Sequence, residues 1–181
     1  MRVIIAITGA SGVIMGIKLL EKLGEEKLLI ISKNAKKIIE SETEYSYSEV
    51  IDMANAHYEN EEIAVDIASG TNKFDALVIV PCSMNTLSKI ACGIADNLTT
   101  RVAAVALKER RKIIIVPRET PLNEIALKNM LKLAQMGVII IPPMPAFYLK
   151  PKSVEDIVDY VVGKIMDHLG LKHDLYEPYS P

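Results

Sequence analysis

The sequence predicts an α/β fold built on a single doubly wound parallel sheet. Three observations carry that reading. Strand-like and helix-like segments alternate five times along the chain, as in stacked βαβ units. The strand segments are continuous Val, Ile and Leu runs, which suits a parallel sheet covered on both faces. Glycine, hydroxyl, amide and charged residues gather just after the strands, where such sheets bind ligands.

Each element follows from its own pattern. The run RVIIAIT (2–8) is apolar, short and bounded by glycine, and predicts a buried strand. TGASG (8–12) turns the chain into a helix that ends near Gly24. A second strand is expected at 27–32 and a helix with outward cations at 34–42. Residues 43–74 are polar and aromatic, and predict a surface excursion with a short helix at 48–56. A third strand follows at 75–80 and stops at Pro81. Helices are expected at 83–92 and 97–109, a strand at 112–117, a helix at 122–135 and a strand at 138–141. A proline-punctuated loop spans 142–151. Ser153 then caps a helix reaching about Leu169, with Glu155 and Asp156 in its first turn. An irregular C-terminal arm covers about 168–181, so the whole of 1–181 reads as one domain.

Composition narrows the function. The chain has 181 residues, half of them apolar, with a net charge of −2. No broad basic field invites nucleic acid. No apolar run approaches the ~20 residues of a membrane span, so the excess apolar surface points to subunit contacts. Met1-Arg2 leads straight into a strand, not into a signal-peptide layout. Cys82 and Cys92 make no disulfide framework; ten residues on one helix would separate them by about 15 Å. A reducing, cytoplasmic setting is expected. The three histidines, at 57, 168 and 173, lack metal-ligand spacing.

Five strand-end loops carry the chemistry. In TGASG, Gly9 and Gly12 permit a tight turn, and the following helix N-terminus attracts anions. Its spacing is not GxGxxG, and strand two ends in Ser32-Lys33 instead of an acid, which argues against NAD. In PCSMNT (81–86), Ser83, Asn85 and Thr86 offer groups for a ring edge or a phosphate. Plain N-capping by Ser83 is the ligand-free alternative. Cys82 reads as a packing residue more readily than as a nucleophile. Arg101 and Lys108 are seven apart and share a helix face, which solvent alone would explain. In PRETP (117–121), Glu119 suits either acid/base work or a helix cap, with Arg118 beside it as a phosphate ligand. Tyr148 and Lys150 lie on the proline loop, at a subunit contact or a ligand.

Taken together, eight collinear blocks resemble the flavin prenyltransferases of the UbiX type. They are TGASG, Ser32-Lys33, SETE (41–44), PCSMNTLS (81–88), NLTTRVAAVALKERR (97–111), VPRETP (116–121), NMLKLAQMG (129–137) and PAFYLKPKSVEDIVDYVVGKI (145–165). The resemblance implies a Rossmann-like or flavodoxin-like subunit in a homododecamer. It implies alkylation of reduced FMN by dimethylallyl phosphate at flavin N5 and C6, without a metal. The product, prenylated FMN, would serve UbiD-type decarboxylases. By motif, Gly9, Ala10, Ser11, Ser32, Ser83, Met84, Asn85, Thr86 and Arg101 would hold FMN. Lys108, Arg118, Glu119, Tyr148 and Lys164 would surround the prenyl phosphate, and Glu42 corresponds to an acid near the flavin. Glu119, Lys108, Ser11 and Glu42 form the implied catalytic set, with Glu119 as acid/base. Relatives commonly carry Arg at the position of Lys164, so here the charge is kept and the bidentate fork is lost. Tyr176 and Tyr179 match no family motif.

Three rival functions share the flavin loops. FMN-dependent cysteine decarboxylases of related fold typically carry a catalytic His after the second helix, for which His57 is the only candidate, and a PxMNxxMW-like stretch, whose MW is missing from PCSMNTLS. A non-catalytic FMN-binding protein needs neither Glu119 nor Lys108. Direct decarboxylation of a hydroxybenzoate finds no machinery beyond the flavin loops.

Overall fold

The computed structural model describes residues 1–179; residues 180 and 181 of the expected arm lie outside them. Six strands form one all-parallel sheet in the order β3-β2-β1-β4-β5-β6. They are β1 (Arg2–Ile7), β2 (Glu26–Ile31), β3 (Ala56–Glu59), β4 (Ala76–Cys82), β5 (Lys112–Pro117) and β6 (Ile139–Ile140). That is the strand order of Rossmann-type sheets, whose crevice opens between β1 and β4, where the winding reverses.

Both faces of the sheet are covered. Val3, Ile5 and Ile7 of β1 face one apolar cluster, and Ile4 and Ala6 face another. The first cluster is closed by α1 (Val13–Lys22) and α7 (Val154–Leu169), the second by α4 (Met84–Ala91) and α5 (Leu98–Lys108). The remaining helices are α2 (Lys33–Glu42), α3 (Tyr47–Asp52) and α6 (Glu124–Gln135). Gly16 sets how closely α1 lies on the sheet. A Cβ there would stand 2.5 Å from the Val80 carbonyl and 2.9 Å from Ile7 Cγ1.

Two strands depart from expectation: β4 does not stop at Pro81 but runs on to Cys82, which pairs with Pro117 of β5, and an edge strand forms where none was expected. The excursion at 43–74 contains the short helix, ending at Asp52, and then the edge strand β3. Ala-His-Tyr-Glu is too short and polar to read as a strand. It exists because Leu28–Ile31 of β2 offer it a free hydrogen-bonding edge. Cys82 lies in β4 and Cys92 just after α4, so one helix does not carry both; both thiols are free. Among the described residues, no helix is long and apolar enough to cross a membrane.

Candidate functional site

The ends of β1, β2, β4 and β5 are stitched into one wall by hydrogen bonds between neighbouring strands. Ser32 N–H donates to the Ile7 carbonyl at 3.1 Å. Arg118 N–H donates to the Cys82 carbonyl at 3.3 Å. Between them, the buried Thr8 hydroxyl donates to the Pro81 carbonyl at 2.8 Å and accepts from Ser83 N–H at 2.8 Å. Thr8 thus locks the TGASG loop to the PCSMNT loop. The sequence named Thr8 only as the first letter of a motif.

The TGASG turn is shaped for an anion. Gly12 has φ 92°, a left-handed conformation that glycine adopts without strain, and it starts α1 with no side-chain cap. The first turn of α1 holds no acid. The N-terminus of α1 therefore brings its partial positive charge to the end of β1. Glu42, at the end of α2, reaches across to accept Gly12 N–H at 2.8 Å. This brings the SETE acid to the TGASG loop although thirty residues separate the two. Ser11 is exposed, and no protein group hydrogen-bonds its hydroxyl among the described residues.

The serines have structural duties as well. Ser32 caps α2 by accepting Ala35 N–H at 3.2 Å. Ser83 caps α4 by accepting Thr86 N–H at 3.2 Å, and its hydroxyl lies 3.0 Å from that of Thr86. The ligand-free role expected for Ser83 is therefore real, and Met84, Asn85 and Thr86 follow it in the first turn of α4. Cys82 is buried, and burial pushes its thiol far above the ordinary range, so it supplies no thiolate.

Arg118 and Glu119 follow β5 on the same wall. Arg118 Nε is buried and finds no hydrogen-bond partner among the described residues. A buried, unpartnered guanidinium N–H is costly, and an anionic ligand would relieve that cost. Glu119 is exposed and accepts Thr120 N–H at 3.0 Å. It does not cap α6, because Asn123 does. Of the two roles open to Glu119, the helix cap is thereby removed.

The other expected residues lie elsewhere in the chain. Arg101 and Lys108 share one face of α5 and line a cavity of about 700 Å³ with residues 68–71. Arg101 Nε donates to the Ala68 carbonyl at 3.2 Å, and Lys108 pairs with Glu109 at 2.9 Å. Lys108 ends α5 just before β5 begins. In a parallel sheet that is the end opposite the TGASG wall, roughly 20 Å away along a six-residue strand. Tyr148 and Lys164 form a third group beside α7, lining a cavity of about 660 Å³ with Asp167, Tyr176 and Tyr179. The Tyr148 and Tyr179 rings meet edge to face, centroids 5.4 Å apart. One chain therefore holds three separate groups: the strand-end wall, the α5 face and the α7 face.

His57 belongs to none of them. It sits within β3 opposite Leu29, 2.9 Å from the Tyr47 hydroxyl, and burial lowers its pKa. Among the described residues, no group of His, Cys, Asp or Glu is arranged to hold a metal ion.

Fold and wall are those of a flavin-binding protein, and a family model described as Flavoprotein matches residues 1–166. The chain is 54% identical over 182 residues to the flavin prenyltransferase UbiX of Methanocaldococcus jannaschii, covering 99% of each. The solved AnUbiX (PadA1) in complex with FMN and dimethylallyl pyrophosphate superposes with a TM-score of 0.97 at 42% identity, over 99% of this chain and 97% of that one. A dodecameric FMN-dependent UbiX-like decarboxylase from Escherichia coli O157:H7 also superposes at 0.97, with 44% identity over 100% of both chains. The chain belongs to the UbiX family of flavin prenyltransferases. The peptidyl-cysteine decarboxylase EpiD shares the fold, at a TM-score of 0.63 and 24% identity over 79% of this chain and 81% of that one.

Proposed function

We propose that this chain transfers the dimethylallyl group of dimethylallyl phosphate or pyrophosphate to reduced FMN, at N5 and C6. The observation that carries the reading is the stitched wall, in which Arg118 keeps a buried N–H for an anion and Glu42 meets the TGASG loop. FMN would lie against Gly9, Ala10, Ser11, Ser32 and Ser83–Thr86. Reduced flavin supplies the two nucleophilic positions and an electron-rich face for a cationic allyl group.

The chain's own groups act on the donor. Cleavage of the allylic C–O bond would send an electron pair to the departing phosphate as the allyl carbon bonds to N5, which sheds its proton; protonation of the remaining double bond would then let C6 form the second bond, with the C6 hydrogen leaving as H⁺. Lys108, Arg118 and Lys164 hold the growing charge of the phosphate, and Glu119 passes it a proton. Tyr148 donates its hydroxyl to the phosphate. Because one chain keeps these residues in three groups, the site is assembled between copies. The wall of one copy meets the α5 face and the α7 face of its neighbours, and Arg101 then contributes to FMN binding from the α5 face. Leu127, Leu131, Phe147 and Val154 are 52–76% exposed and supply apolar surface for this packing. A homododecamer is the assembly we expect, and a UbiD-type decarboxylase is the expected recipient of the product.

The test is anaerobic mixing of the purified protein with reduced FMN and each donor. A new flavin absorbance and release of inorganic phosphate or pyrophosphate are expected. Flavin binding with no turnover would favour a storage protein. Loss of CO₂ from a cysteine-containing peptide would favour the decarboxylase reading, for which His57 is badly placed inside the β3 ladder.

A further inference from the structure

The C-terminal arm is seated on the residue next to Lys164. A Cβ on Gly163 would stand 2.6 Å from Tyr176 Cε1 and 2.9 Å from His173 Cε1. Glycine at this point lets the two rings lie directly on the α7 backbone. Tyr176 also packs against Tyr160, with ring centroids 5.1 Å apart and planes inclined by 60°.

Asp167 is the hub of the contact. Its Oδ2 accepts from the Lys164 ammonium at 3.1 Å and from the Tyr176 hydroxyl. Its Oδ1 meets His173 Nε2 at 3.0 Å. His173 Nδ1 accepts the Leu175 N–H at 3.2 Å, so Nε2 carries the ring proton and donates it to Asp167. Both carboxylate oxygens are therefore engaged by the arm. Lys164 shares one oxygen with Tyr176 and does not hold the carboxylate to itself. Burial alone would raise the Asp167 pKa, but hydrogen bonds from Tyr176, Lys164 and His173 hold it below the ordinary value. The group lines the same cavity as Tyr148.

We propose that Tyr176 and His173 are positioning residues for the donor's phosphate, occupying Asp167 so that Lys164 remains available to an anion. This rests on the reading that Lys164 meets the prenyl phosphate. A carboxylate oxygen that already accepts a phenol competes less well for an ammonium than a free one does. Without the arm, Asp167 would turn a carboxylate free of other donors to the ammonium that it already meets at 3.1 Å, and would compete more strongly with the phosphate.

Steady-state kinetics with dimethylallyl phosphate at saturating reduced FMN test the inference. Tyr176→Phe keeps the ring and removes the hydroxyl. It should raise KM for the donor about three- to tenfold, with kcat within about twofold and FMN affinity unchanged. Gly163→Ala should raise the donor KM in the same direction by displacing the Tyr176 ring, although alanine favours the helix. In an Asp167→Asn background, Tyr176→Phe should change the donor KM by less than about twofold, because the competitor is gone. An unchanged KM in Tyr176→Phe overturns the inference, as does an effect that persists undiminished with Asp167→Asn. Lys164→Ala separates the two readings. If it raises the donor KM while Tyr176→Phe does not, only the role of the arm fails. If it leaves the donor KM unchanged, the phosphate role of Lys164 fails and the inference falls with it.

Discussion

The strand-end wall and the α7 face solve the problem of holding charge in opposite ways. At the wall, backbone groups and one buried hydroxyl do the fixing. Ser32, Thr8, Ser83 and Arg118 tie adjacent strand ends together, and Thr8 is only 3% exposed. On the α7 face, side chains do the fixing, through Asp167, Lys164, His173 and Tyr176, with Asp167 and Lys164 partly in solvent. A wall built from strand ends is complete as soon as the sheet forms. A face built from exposed ion pairs is completed by what packs onto it. The contrast explains how one chain carries every implied residue and still lacks a closed site.

Substitutions can break this contrast at either end. Glu119→Gln should have the largest effect, a fall in kcat of about 10²- to 10⁴-fold with FMN affinity retained, read by single-turnover absorbance. It removes the acid/base group from the wall without touching the stitching. Leu131→Glu comes next. Leu131 is 59% exposed on α6, and a charge there should split the assembly by sedimentation and lower activity about tenfold or more. The sheet core should keep its fold, since Leu131 lies outside both apolar clusters.

Thr8→Val probes the stitching itself. It is nearly isosteric, but it leaves Ser83 N–H and the Pro81 carbonyl without the hydroxyl. A cost of about 1–3 kcal/mol is expected, seen as a lower Tm and weaker FMN binding by fluorescence titration. The donor KM should change much less than FMN affinity. Lys164→Arg should give the smallest effect, a donor KM lowered by about two- to threefold through the bidentate fork. A rise instead would show that the Asp167 network is shaped for an ammonium.

A pH effect follows from His57. Its folded-state pKa is lowered by burial, so the folded chain binds fewer protons there than the unfolded chain. The contribution is fully present above the unfolded value of about 6.5 and is lost as pH falls through the lowered folded value. Thermal melts of His57→Gln and the parent should therefore converge towards acid pH.

The sequence made the wall legible because its signals are local. TGASG, Ser32 and PCSMNT each follow an apolar strand run, and strand ends on a parallel sheet must meet. The residues that bind the loops to one another were harder to see. Thr8 looks like a strand terminus, and only the three-dimensional adjacency of β1 and β4 shows its two hydrogen bonds. β3 was hidden because an edge strand of Ala-His-Tyr-Glu has no apolar run to announce it. The seven-residue spacing of Arg101 and Lys108 gave their shared face correctly. It could not tell which end of the sheet that face occupies, since that follows from where α5 meets β5. Tyr176 and His173 were opaque for a different reason. Their partner, Gly163, is identified by what its missing Cβ would strike, and no local pattern encodes that.

The central claim is that the α5 face serves a neighbour's wall and not its own. It is tested by mixing two variants, Lys108→Ala and Glu119→Gln, each inactive alone. Co-expressed in equal amounts in one assembly, they should recover about a quarter of parental prenyl transfer, because random pairing restores both residues at one site in four. If Lys108 and Glu119 of the same chain shared a site, every site would lack one of them. The mixed assembly would then stay as inactive as its components.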